Sequence, residues 1–104
     1  MTDIVGKWVL QEGMFKGLWF DFKEDGTYLS ELAGPVKITA SGTYTTAEGG
    51  LIDTNQTQHT MNLIGQYAGI YSVEGDTMKL IFAAVPGGPR PDDLGKAGTY
   101  KRER

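Results

Sequence analysis

No cysteine occurs among the 104 residues, which excludes disulfide bridges, cysteine-based zinc sites and thiol nucleophiles. Histidine is nearly as scarce. His59 stands alone, in a polar run of Asn, Gln and Thr that suits a solvated loop residue. A Ser/His/Asp triad needs a defined constellation, and no nucleophile elbow or comparable motif accompanies this histidine. No catalytic residue is assigned. A metal site would require the fold to gather Asp53, His59 and Asp92, which nothing in their spacing demands, so neither a metal nor a cofactor is expected. No apolar run approaches the roughly 18 residues of a membrane-spanning helix. Met1-Thr2-Asp3-Ile4-Val5 has neither the basic segment nor the apolar core of a secretory leader, which gives the expectation of a cytoplasmic protein.

Charge of one sign is also missing. Ten Lys and Arg stand against thirteen Asp and Glu, a formal net charge of -3, with no basic stripe, so nucleic acid is not an expected partner. Pro86-Gly87-Gly88-Pro89 is rich in glycine but lacks the lysine and the following helix of a phosphate loop. Asp92-Asp93 beside Arg90 reads as a solvated dipeptide in a Pro-Gly loop. Asn55-Gln56-Thr57 fits a glycosylation sequon, a triplet common by chance, and is set aside.

Glycine, by contrast, is plentiful. Fifteen glycines in 104 residues is about twice the average share of roughly 7% and implies many tight turns between many short strands. The length suits one domain, 1–104. Alternation of apolar and polar residues marks strands over 4–12, 18–23, 27–32, 36–46, 51–57, 66–73, 77–83 and 99–103. Asp25-Gly26 supplies the turn of one hairpin and Glu74-Gly75-Asp76 that of another. Gly42 marks a bend within its strand. Residues 47–64 are the least regular, and 85–98, with three of the four prolines, reads as a loop. No segment shows sustained helical periodicity; one short helical turn in 47–64 or 85–98 is the most that fits.

The expected fold is therefore all-β, an antiparallel up-and-down barrel of about eight strands, since closure removes exposed sheet edges. Such a barrel is wide enough for its own side chains or for one small ligand. The inward phase is expected to carry Trp8, Leu10, Phe20, Phe22, Leu29, Tyr44, Tyr71, Leu80 and Phe82. All of these but Leu10 form the candidate ligand-lining set, and the same residues would equally serve as a filled core. Trp19 shares the opposite phase with Asp21 and Lys23. It is either a partly covered surface residue or the anchor of a partner chain, which makes a homodimer an expectation. Glu31 and Lys101 need their direction established, because a charge on the inward phase would be costly unless paired.

Gly6-Lys7-Trp8 on the first strand, with Arg102 returning on the last, resembles the signature of the lipocalin and fatty-acid-binding superfamily. A guanidinium laid across the indole would close the barrel floor. Leu51-Ile52-Asp53, Gly69-Ile70-Tyr71, Gly75-Asp76-Thr77-Met78-Lys79-Leu80, Arg90-Pro91 and Tyr100-Lys101-Arg102 follow in an order that is similar to a family of short bacterial lipocalin-like domains, abundant in planctomycetes, of unknown function. Leu94 departs from that pattern, standing where an aromatic would anchor the loop. The resemblance implies a barrel with a habit of holding small apolar molecules and brings no catalytic residues. Three readings stay open in this order: a carrier of a small apolar ligand, an interaction module that uses the barrel surface, and an enzyme that uses the cavity.

Overall fold

A computed structural model describes residues 4–103; Met1 to Asp3, the start of the segment without the features of a secretory leader, lie outside the described residues. Eight strands follow one another along the chain: β1 (Gly6–Leu10), β2 (Trp19–Phe22), β3 (Thr27–Leu32), β4 (Ile38–Ala47), β5 (Leu51–His59), β6 (Gly65–Glu74), β7 (Thr77–Phe82) and β8 (Gly98–Glu103). Each pairs antiparallel with its neighbours in sequence, and β8 pairs with β1, so the sheet closes into an up-and-down barrel with no free edge. No helix forms among the described residues.

Register follows from the turns. The hairpin around Asp25-Gly26 sets Phe22 opposite Tyr28 and Asp21 opposite Leu29, and Asp25 caps it by accepting from the Thr27 amide at 3.0 Å and the Thr27 hydroxyl at 2.6 Å. These bonds favour the charged carboxylate and lower the Asp25 pKa. At Gly42 the β4–β5 register shifts by one residue. A side chain there would fall on the Asn55 carbonyl, so only glycine lets the two strands approach at this bulge.

The barrel has a packed end and an open end. Trp8, Phe22, Tyr28, Ile52 and Met78 are fully buried with Ile4 in the packed part. Trp8 Nε1 donates to the Ile4 carbonyl at 2.8 Å, and the Arg102 guanidinium lies 4.2 Å from the indole centroid. Arg102 Nη1 donates to the Val5 carbonyl at 2.6 Å, and its Nε faces Asp76 Oδ1 at 3.3 Å. Gly6 has φ +131°, and a Cβ there would meet Arg102 Nη1 at 2.8 Å, so glycine is required beside the guanidinium.

Two expectations change, and one open question is answered. Leu29 does not point inward: it is 43% exposed on the outer wall, because its partners Asp21 and Ser41 are outward residues and Tyr28 and Ser30 occupy the inward phase. His59 is not a loop residue but ends β5, half-buried opposite Ala40. Glu31 and Lys101 both face outward: Glu31 pairs with Lys37 at 3.2 Å, and Lys101 donates to the Thr77 hydroxyl at 2.6 Å.

Candidate functional site in the barrel mouth

At the open end, the inward side chains leave space between them. The four connections there, 11–18, 33–37, 60–64 and 83–97, surround a cavity of about 250 Å³ bounded by Phe20, Tyr28, Gln56, His59, Tyr67 and Phe82, with Leu63 at its lip. Phe20 is the pivot of its wall. Its ring stacks on Phe22 at 5.5 Å and tilts against Phe82, Tyr100 and Tyr28 at 6.0, 6.0 and 6.3 Å. These offset and tilted contacts hold the ring in place, so the aromatic base of the cavity is preformed.

The polar groups of the cavity are tied to one another. Tyr28 donates to Gln56 Oε1 at 2.9 Å, Gln56 Nε2 donates to the Leu63 carbonyl at 2.6 Å, and the Tyr67 hydroxyl donates to that same carbonyl at 3.2 Å. Burial pushes the Tyr28 phenol up to about 12, against a hydrogen bond with Thr54 that acts in the opposite direction. His59 Nδ1 accepts from the Met61 amide at 3.0 Å, which places the ring proton on Nε2 and leaves that nitrogen as a donor. No Asp, Glu, Lys or Arg lines the cavity.

Of the eight residues expected to line a ligand site, Phe20 and Phe82 border this cavity. Trp8, Phe22, Tyr44 and Leu80 are buried in the packed core, and Tyr71 is partly buried against it. Tyr44 serves the closed end, where its hydroxyl donates to the Lys23 carbonyl at 2.7 Å. Leu29 lies outside the barrel altogether. Tyr28, Thr54, Gln56, His59, Leu63 and Tyr67, which were not among the expected residues, also border this cavity. The hairpin register held a usable signal for Tyr28: the turn that pairs Asp21 with Leu29 necessarily sets Tyr28 beside Phe22. For Gln56 and His59 there was none, since polar residues in a polar segment look solvated until the bulge and the barrel closure turn them inward.

Asp53, His59 and Asp92 are not gathered: among the described residues no group of three or more His, Asp or Glu could hold a metal ion. Asp53 instead pairs with Arg90 at 2.7 Å, and Asp93 accepts from the Gly95 amide at 2.8 Å. Trp19 faces outward, as its phase implied, and is partly covered, with the Lys7 ammonium 4.4 Å from its ring centroid. No helix of the described residues is long and apolar enough to cross a membrane. No family model matches the chain, and no curated protein matches it.

Proposed function

We propose that this chain is a single lipocalin-like barrel domain that carries a small, uncharged, largely apolar molecule in its mouth. The closed eight-stranded up-and-down order and the Trp8–Arg102 floor support the resemblance to short bacterial lipocalin-like domains. The observation that carries the reading is the cavity itself: preformed rings of Phe20 and Phe82 at its base and no charged lining residue. A bound carboxylate or ammonium would lose water there without meeting a group of opposite charge, so a neutral ligand is favoured. At about 250 Å³ the space falls just under the roughly 300–1,000 Å³ of drug-sized sites. The ligand is therefore compact, or its tail projects through the mouth. His59 Nε2 offers one hydrogen bond to an acceptor on it.

A second reading, an interaction module that forms a homodimer, is supported by a shallow depression of about 230 Å³ on the outer wall, bordered by Trp19 and Leu29. One experiment separates the two: native mass spectrometry of the protein as purified, against its denatured mass. The carrier reading expects an added small-molecule mass that disappears on denaturation and is lost in Phe82→Trp, which fills the cavity. An empty protein at twice the chain mass would replace that reading with the homodimer.

A further inference from the structure

Among the described residues, eight large apolar side chains are well exposed, and seven of them, Met14, Phe15, Val36, Met61, Leu63, Ile64 and Val85, lie on the four connections around the mouth. Leu29 is the eighth. Met14 is 91% exposed, Val36 68% and Met61 62%, so these side chains stand out from the rim. Chance does not gather exposed apolar residues at one end of a barrel whose wall presents Lys7, Asp21, Asp53, Lys79 and Glu103. An apolar collar of this kind marks a contact surface.

We propose that the mouth rim docks on the surface of a lipid bilayer containing anionic headgroups. Three observations select this occupant. The apolar side chains are prongs on separate loops around an opening; acyl chains close around such prongs individually, whereas a protein partner needs a continuous packed patch. The exposed apolar tips are followed directly by cations, in Met14-Phe15-Lys16 and Val36-Lys37, whereas the carboxylates of the four connections, Glu12, Asp92 and Asp93, adjoin none of these tips, and over the whole connections Lys16, Lys37, Arg90 and Lys96 outnumber them in a chain of net charge -3. A lysine beside an apolar prong runs its stem along the acyl boundary and leaves its ammonium among the phosphates. The Lys37 ion pair with Glu31 is no obstacle, because the Lys37 side chain is largely exposed and such pairs are weak. Finally, the wall is too polar to face lipid, so contact is made end-on. Leu63 belongs to both rim and cavity lip, so a docked barrel opens its cavity toward the bilayer.

The test is co-flotation of the full chain with vesicles of phosphatidylcholine alone and with phosphatidylserine added. Partitioning should be roughly tenfold or more stronger on the mixed vesicles, the attraction expected of two lysines. Phe15→Ser with Met61→Ser should lower it by about tenfold or more by removing two apolar anchors. Lys16→Glu with Lys37→Glu should weaken binding to the mixed vesicles selectively. None of these four residues borders the cavity or belongs to the buried core, and unchanged thermal unfolding would confirm that the variants are folded. A folded chain that floats with neither vesicle, or whose flotation ignores Phe15→Ser with Met61→Ser, overturns the proposal. So does a dimer that this double variant dissociates while vesicles remain unbound, which would give the rim to a second copy. Docking and carrying fail separately: an empty protein that floats upholds the docking, and a loaded protein that does not float refutes it.

Discussion

Trp8 meets three kinds of force at once. Its ring is fully buried, its Nε1–H is bonded to the Ile4 carbonyl, and Arg102 covers its face while donating to the Val5 carbonyl. Trp8→Ala leaves a cavity, removes a cation–π contact and leaves a carbonyl without its donor. We expect a loss of about 3–5 kcal/mol in urea unfolding, the range for emptying a large aromatic site; a loss under about 1 kcal/mol would mean that the floor is closed by something else. This contact was legible in the sequence because closing a barrel joins its first and last strands, which sets a Trp on one beside an Arg on the other. Leu29 was not legible in the same way. Its apolar character suggested an inward position, and only the hairpin register shows that Tyr28 and Ser30 hold that phase.

Among the elements, the connection 83–97 depends most on a single side chain. It has no regular structure, yet Arg90 fastens it to the wall by donating from Nη1 to the carbonyls of Ile52 at 3.0 Å and Gly69 at 2.8 Å, and from Nη2 to Asp53. The Gly87 amide adds a bond to the Gln66 carbonyl at 2.7 Å. Arg90 is thus the anchor of this loop. Arg90→Ala should cost about 1–3 kcal/mol, the penalty of leaving part-buried carbonyls without donors. Amide hydrogen exchange should show faster exchange over 83–97 than over β7 and β8; uniform protection would show that the anchor is dispensable. The strands were readable from alternation, and five of the eight end within one residue of the expected positions at both ends. β1, β4 and β5 differ by two residues at one end or both, and in β5 polar residues obscured a strand that runs to His59, because about half of them face water and the rest complete a hydrogen-bonded lumen.

The whole barrel keeps two phenols out of water. Burial pushes both Tyr28 and Tyr100 up to about 12 from an ordinary value of 10.0. Below pH 10 each phenol is neutral in both folded and unfolded chains, and its full contribution is present. Between pH 10 and 12 the unfolded chain releases these protons while the folded one retains them, so unfolding gains and stability falls as pH rises. Each tyrosine accounts for roughly 3 kcal/mol over that window. Urea midpoints measured from pH 9 to pH 12 should decline steeply above pH 10, and Tyr100→Phe should flatten the decline; a flat profile in the wild-type chain would mean that water reaches both hydroxyls.

Sequence alone determined that this chain is an all-β barrel with Trp8 and Arg102 at its closure, since alternation, glycine-rich turns and the placement of two residues near the ends are local facts. It determined equally that thiol chemistry has no place here. Which inward residues pack and which leave space was decided by tertiary structure. The Gly42 bulge, the hairpin register and the course of 83–97 fix the inward phase and height of every ring, and those quantities depend on strands far apart in the chain. The same holds for the apolar rim: Met14, Val36, Met61 and Val85 lie in four separate segments, and only barrel closure brings them to one end.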